Sequence, residues 1–244
     1  MPRYLTPFLY AVVALFLATA ARGQGNVRFI NVGLQEGLSQ SSVFSLHQDY
    51  LGFMWIGTRD GLNRYDSRKF HTYRNIPADS TSLTDNYILS LLEDKNKNLW
   101  VGTRSGLNRY DRLRDKFIRI PLHSNSASSP IYPMVWTVSQ DRQGRINLGT
   151  NHGYYRYEKD GFHLIFDATR HPELPAGCNN IQAVYQDSQN QTWLGTANGV
   201  LLLSPDGQVK RHFRKRPGEL NSEFVRAITE ISPGVLWFGT QEGG

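Results

Sequence analysis

Along the chain, apolar and polar positions fall into short punctuated runs. After the first twenty residues no helical periodicity appears. Four apolar segments end in an acid: "VFSLHQD" at Asp49, "YILSLLED" at Asp94, "MVWTVSQD" at Asp141 and "IQAVYQD" at Asp187. Each is rich in Val, Ile, Leu and aromatics over about seven residues, which predicts a strand buried on both faces or nearly so. A four-residue turn follows each strand: "DYLG", "DKNK", "DRQG", "DSQN" and, in a fifth copy, "ISPG". Its last place asks for positive φ, which Gly52, Gly144, Asn190 and Gly234 accept readily. Lys97 departs from that pattern, so its turn is expected to differ locally. The fifth segment, "FVRAITEI", has Ile231 in the acid's place and Glu230 one position early.

The turn leads into a motif that recurs five times: "WIGTRDGLNRYD" at Trp55, "WVGTRSGLNRYD" at Trp100, "NLGTNHGYYRYE" at Asn147, "WLGTANGVLLLS" at Trp193 and "WFGTQEGG" at Trp237. The spacings are 45, 47, 46 and 44 residues. The motif reads as a second strand closing in a tight turn whose fourth residue is always glycine: Gly61, Gly106, Gly153, Gly199 and Gly243. A third strand and a short turn then lead to a fourth strand, such as "FHTY" or "FIRI".

Four antiparallel strands in about 45 residues predict an all-β chain, a β-propeller of four-stranded blades. The blade motifs start near 42, 87, 134, 180 and 224. Trp55, Trp100, Trp193 and Trp237 are expected to pack one blade on the next rather than to stack on sugars. Gly57, Gly102, Gly149, Gly195 and Gly239 complete the repeated scaffold. In the third blade Asn147 replaces the tryptophan, and Trp136 on the preceding strand is expected to supply the lost volume.

Composition adds the compartment. The chain has 244 residues, of which 39% are hydrophobic, 12% aromatic and 20% charged, a globular balance. Its start, "MPRYLTPFLYAVVALFLATAARGQG", has one early Arg, a short apolar run and an A-x-A pattern at Ala18 to Ala20. This predicts a signal peptide over 1–20, with export and a mature chain of 21–244; the run is short of the roughly 20 residues a bilayer requires. Cys178 is the single cysteine, so stability must come from packing rather than a disulfide. The net charge is +6. Outside the inner membrane nucleic acid is not an expected partner of this region; anionic glycans or a membrane surface suit the charge better, and a solvated basic surface is the plainer reading.

The run "GLSQSSVFSLHQDYLGFMWIGTRDGLNRYD" resembles the two-component regulator propeller repeat of periplasmic sensor regions in hybrid two-component receptors. Blades three and four depart at Asn147 and at "LLS". The resemblance implies two seven-bladed propellers, a small β-sandwich, a membrane-spanning helix and a histidine kinase, with oligosaccharides as ligands. The sequence stops seven residues into its fifth motif, so the propeller is expected to be incomplete here, a piece of a longer receptor chain anchored in the inner membrane. Whether that receptor forms a homodimer is left open.

In such a fold the turns between second and third strands, and the long connectors (residues 75–86, 121–133, 167–180 and 214–223), gather on one face where recognition residues lie. The ligand candidates are Arg59, Asp60, Arg104, Asn151, His152 and Asn198, with Tyr87, Tyr132 and Trp136 as stacking surfaces. Asp60, Asp85, Glu173, Glu223 and Glu242 are the acids from which a glycosidase pair would have to come, and their spacing selects no two of them. No cofactor motif is present. The seven histidines lack metal-ligand spacing, and "DKNKN" from Asp94 lacks the glycine and the bidentate acid of a calcium loop. "KRHFRKRP", Lys210 to Pro217, reads as a charged strand edge before an anionic-saccharide site. An oligosaccharide sensor is the favoured reading, with a propeller-type glycosidase or lyase and a non-catalytic scaffold as rivals.

Overall fold

The computed structural model describes residues 29–123 and 130–242. The expected signal peptide, Gly243 and part of the second connector lie outside them. Of the described residues, 33–123 and 130–242 belong to one compact unit, and 29–32, which contain neither helix nor strand, do not belong to it. Among the described residues no helix is long and apolar enough to cross a membrane.

Among the described residues eighteen strands arise from the punctuated runs. The first sheet contains β1 (Val43–Gln48), β2 (Met54–Thr58), β3 (Gly61–Tyr65) and β4 (Phe70–Tyr73). The second contains β5 (Ile88–Glu93), β6 (Leu99–Thr103), β7 (Gly106–Asp111) and β8 (Lys116–Ile120). The third contains β9 (Val135–Gln140), β10 (Ile146–Thr150), β11 (Gly153–Glu158) and β12 (Gly161–Phe166). The fourth contains β13 (Ile181–Gln186), β14 (Thr192–Thr196), β15 (Gly199–Leu203) and β16 (Val209–Phe213), and β17 (Val225–Ser232) pairs with β18 (Val235–Thr240) alone. Every sheet is antiparallel in sequence order, and the first four are the four-stranded blade that the repeat predicts.

Four apolar clusters fill the four gaps between successive sheets. Trp55 is fully buried, with its ring edge-on to Tyr110 of the next sheet at 4.9 Å. Trp100 meets Phe162 at 5.9 Å and Trp193 meets Phe238 at 5.9 Å. Trp237 departs from its expected place in the core: it is 64% exposed, because no further sheet covers β18 among the described residues. For the converse reason Val43 is 42% exposed, although its counterparts Ile88, Val135, Ile181 and Val225 are completely buried. Burial on both faces therefore fails for β1 and β17, which no further sheet covers among the described residues.

The motif glycine makes this stacking possible. A Cβ on Gly57 would lie 2.7 Å from Ile88, on Gly102 2.9 Å from the Val135 carbonyl, on Gly149 2.6 Å from the Ile181 carbonyl and on Gly195 2.9 Å from the Val225 carbonyl. The first residue of each following sheet occupies the space a side chain would need. At Gly239 the nearest atom is Ala227 Cβ at 3.3 Å, within its own sheet.

The recurrent acid anchors the turn below each sheet. Asp49 Oδ1 accepts the backbone N–H groups of Leu51 and Phe53, both at 3.0 Å, while Oδ2 accepts the indole N–H of Trp55 at 2.8 Å. Asp94 and Asp187 repeat the arrangement with Trp100 at 2.9 Å and Trp193 at 2.8 Å. Lys97 does not make its turn different: its φ of 66° matches the 61° of Asn190, and its N–H reaches the Asp94 carbonyl at 2.9 Å like its counterparts. The bonds from Asn96 and Asn98 to Asp94 hold it in the left-handed region, and its ammonium rests over Tyr50 at 5.3 Å.

The residue before each acid ties one sheet to its predecessor. Glu93 accepts the backbone N–H of Tyr50 at 3.2 Å, Gln140 that of Lys95 at 3.1 Å, Gln186 that of Arg142 at 3.0 Å and Glu230 that of Ser188 at 2.7 Å. Glu230 also accepts the Gly234 N–H of its own turn at 2.8 Å. It stands in register as the inter-sheet acceptor.

In the third sheet the missing tryptophan is replaced by other means than Trp136. Trp136 lies at the opposite end of β9, while Tyr154 donates its hydroxyl to Asn147 at 2.7 Å and Arg145 Nε donates to Asp141 at 2.7 Å. A cavity of about 100 Å³ remains beside Asn147, lined by Asp141, Tyr154, Tyr185 and Thr192.

Candidate functional site

Each first strand carries a β-bulge at its second residue: Phe44, Leu89, Trp136, Gln182 and Arg226 are skipped by the register of their ladders. A bulge leaves its residue unpaired and re-aims the side chain, which is why bulges gather beside binding sites. Thr58 pairs with both Val43 and Gly61, so the bulge lies at the sheet end that carries the second turn. The first strands of consecutive sheets are neighbours, from β1 through β5, β9 and β13 to β17. Five chemically different side chains therefore issue from equivalent places along one edge.

The second turns are built alike. Thr58, Thr103, Thr150 and Thr196 are fully buried and donate their hydroxyls to the carbonyls of Gly61, Gly106, Gly153 and Gly199, each at 2.9 Å. Those glycines hold φ between 93° and 120°, the left-handed region that a side chain resists. The residue after the threonine is fixed through its backbone: Arg104 N–H bonds the Tyr87 carbonyl at 3.0 Å, Asn151 the Met134 carbonyl at 3.2 Å, Ala197 the Asn180 carbonyl at 3.1 Å and Gln241 the Phe224 carbonyl at 2.9 Å. Its side chain therefore starts from a rigid base.

The expected residues separate into groups. Arg59 and Tyr87 meet, with the Arg59 guanidinium 5.5 Å from the ring centres of both Tyr87 and Phe44, themselves 4.9 Å apart. Asp60 is engaged by Arg74, whose Nη2 and Nε reach its two oxygens at 2.9 and 3.3 Å. Arg104 is exposed and has no side-chain partner among the described residues. Asn151 Oδ1 accepts the Met134 N–H at 2.9 Å, His152 is exposed beside it, and Tyr132 lies against Gly106. Asn198 donates to Glu223 at 3.5 Å, and its carbonyl accepts from His212 at 2.6 Å.

Of the acids weighed for catalysis, Asp60, Asp85 and Glu173 are each engaged by a neighbouring side chain, while Glu223 and Glu242 line one hollow with Lys215. Asp85 accepts the Ser105 hydroxyl and the Tyr87 N–H, both at 2.7 Å, and Glu173 bonds His171 at 3.1 Å. Cys178 is buried, and that burial pushes its thiol up to about 11, so at neutral pH it is not a nucleophile. No group of three or more metal-ligating side chains occurs among the described residues.

Trp136 meets a residue that sequence reasoning missed. The Arg226 guanidinium lies 5.9 Å from the Trp136 ring and 4.9 Å from that of Phe224, and donates to Gln182 Oε1 at 3.1 Å and to Gln241 Oε1 at 2.9 Å. Gln182 is 6% exposed, and its amide is oriented by a 2.7 Å bond to Asn180 Oδ1. The signal was present in the sequence as the place after the β-branched residue that opens a first strand, which reads Phe, Leu, Trp, Gln, Arg down the five copies. Its importance depends on the bulge, which no residue pattern specifies.

Comparison with known proteins places these repeats. The family model of the two component regulator propeller matches residues 37–60, 82–105 and 176–198. Histidine kinase P4 of Formosa agariphila is 49% identical over 70 residues, 28% of this chain and 5% of that one. The extracellular domain of the hybrid two component system BT4673 from B. thetaiotaomicron superposes with a TM-score of 0.69 at 23% identity, over 83% of this chain and 26% of that one. The WD40 beta propeller domain of Doa1 superposes with a TM-score of 0.51 at 14% identity, over 81% of this chain and 61% of it. The fold is that of β-propellers. The chain spans only a small part of the curated kinase and about a quarter of the solved receptor domain.

Proposed function

Starting from a chain that carries two component regulator propeller repeats, we propose that it is the ligand-binding sensor region of a two-component receptor, working in the periplasm, with an oligosaccharide as ligand. The observation that carries this reading is the row of bulged residues. A scaffold that repeats its packing side chains almost without change presents Phe44, Leu89, Trp136, Gln182 and Arg226 from one equivalent place. Aromatic faces beside amide and guanidinium donors suit sugar rings, which offer apolar C–H faces and polar rims. The remainder of the receptor chain is the partner that would receive the signal, and a ligand shifts it only if it binds two conformations unequally.

The test is titration of the purified protein with a panel of plant and algal oligosaccharides. Binding is followed by tryptophan fluorescence and integrity of the sugar by chromatography. Saturable binding of an intact oligosaccharide, weakened in Trp136→Ala, supports the reading. Cleavage of the sugar would transfer the case to a glycosidase or lyase, and binding of no member of the panel would overturn it.

A further inference from the structure

The Arg226 cluster narrows the ligand beyond "oligosaccharide". Several arginines of the molecule are matched with carboxylates: Arg112 with Asp49 and Glu93, Arg74 with Asp60, Arg145 with Asp141. Arg226 is not. Its two acceptors, Gln182 and Gln241, are neutral amides, and no carboxylate lies within 4.0 Å of it among the described residues. Glu223 and Glu242 line an adjoining hollow together with Lys215, Phe224 and Gln241, and neither forms an ion pair with Arg226 among the described residues.

Neutral acceptors orient a guanidinium without cancelling its charge. Two of its five N–H donors are used, one on each terminal nitrogen, and three remain, the Nε–H among them, for a planar or tetrahedral oxyanion. The orientation is fixed from the protein's interior, because Gln182 is almost fully buried and its own amide is held by Asn180. Beside the guanidinium stands the partly exposed Trp136 ring. A cation held by amides next to an aromatic face matches a sugar ring that bears a carboxylate or a sulfate.

We propose that Trp136, Gln182 and Arg226 form a subsite for an acidic sugar residue, its ring against Trp136 and its anionic group on the free donors of Arg226. This rests on the oligosaccharide reading above and adds the charge of the ligand to it. Arg59 and Arg104, also without carboxylate partners among the described residues, extend the same preference along the edge.

The experiment pairs each acidic probe with its neutral twin: oligogalacturonate with its methyl ester, and sulfated oligosaccharides with their desulfated forms. Affinities are measured by calorimetry at low and high salt. At least one acid is expected to bind about 10-fold or more tightly than its twin, with the advantage reduced by salt. Arg226→Gln is expected to abolish the advantage while keeping the melting temperature, and Arg226→Lys to retain part of it, since a point charge replaces the fork. Equal binding of acid and twin, or an advantage that survives in Arg226→Gln, overturns the acidic subsite and leaves the oligosaccharide reading standing. Binding of no probe of either kind overturns both.

Discussion

Asp94 shows how much one side chain does in this molecule. Its carboxylate accepts Asn96 N–H at 2.8 Å, Asn98 N–H at 2.9 Å and the Trp100 indole at 2.9 Å, and it is 5% exposed. Asp94→Ala leaves these donors without their charged acceptor, and thermal or denaturant unfolding is expected to show a loss of about 3 kcal/mol or more. Asp49 carries the same bonds plus Arg112, whose Nη1 lies 2.8 Å away. Burial raises its pKa, but the Trp55 indole and the Arg112 guanidinium outweigh that and hold the carboxyl below the ordinary range. A group whose folded pKa is depressed stabilises the fold above its unfolded pKa of about 3.9, and that contribution is lost as pH falls through the folded value. Stability is therefore expected to decline below about pH 4, and Arg112→Ala, which brings the folded pKa back toward the unfolded one, to lower the stability at neutral pH and to shrink that decline, read as the unfolding free energy at about pH 7 against about pH 3.

At the scale of elements, what matters is how one sheet meets the next. The glycine of the second strand lets the following first strand approach, and the Glu or Gln before the turn acid accepts a backbone N–H from the preceding sheet. Gly102→Val would drive its side chain into Ser90 and the Val135 carbonyl, and is expected to cost about 3 kcal/mol or more, the upper range for overpacking. Gly239→Val occupies the same motif place with nothing nearer than 3.3 Å, and its melting temperature is expected to stay close to that of the parent. A large loss in both would mean that the glycine serves the strand itself rather than the contact between sheets. The strand periods and turn residues made the four-stranded unit legible from the sequence. The inter-sheet acceptors were not, because a Glu or Gln at a strand end looks like any solvated polar residue until its neighbour is placed.

At the scale of the whole molecule, the third sheet is the irregular member. Its tryptophan is replaced by Asn147, Tyr154 and Arg145 together, with a cavity of about 100 Å³ left between sheets three and four. Asn147→Trp alone would strand the Tyr154 hydroxyl, whereas Asn147→Trp with Tyr154→Leu restores the pairing seen around Trp55 and Leu62. The double variant is expected to melt higher than Asn147→Trp, and the reverse order would show that the cavity does not mark the tryptophan's place.

The sequence by itself determined the strands, their meander order and the tryptophan and glycine scaffold, because these follow from periodicity and from backbone conformations that only a few residues tolerate. It placed Arg59 and Tyr87 on one edge for the same reason, since turns occur where the repeat breaks. The tertiary structure alone decided which side chains share a site and which acids are already engaged. The Asp60 and Arg74 pair, and the cluster of Trp136, Gln182 and Arg226 drawn from three different sheets, arise when sheets stack and bulges re-aim single residues. Those contacts join residues 14 to 90 positions apart, a distance over which a local pattern carries no information.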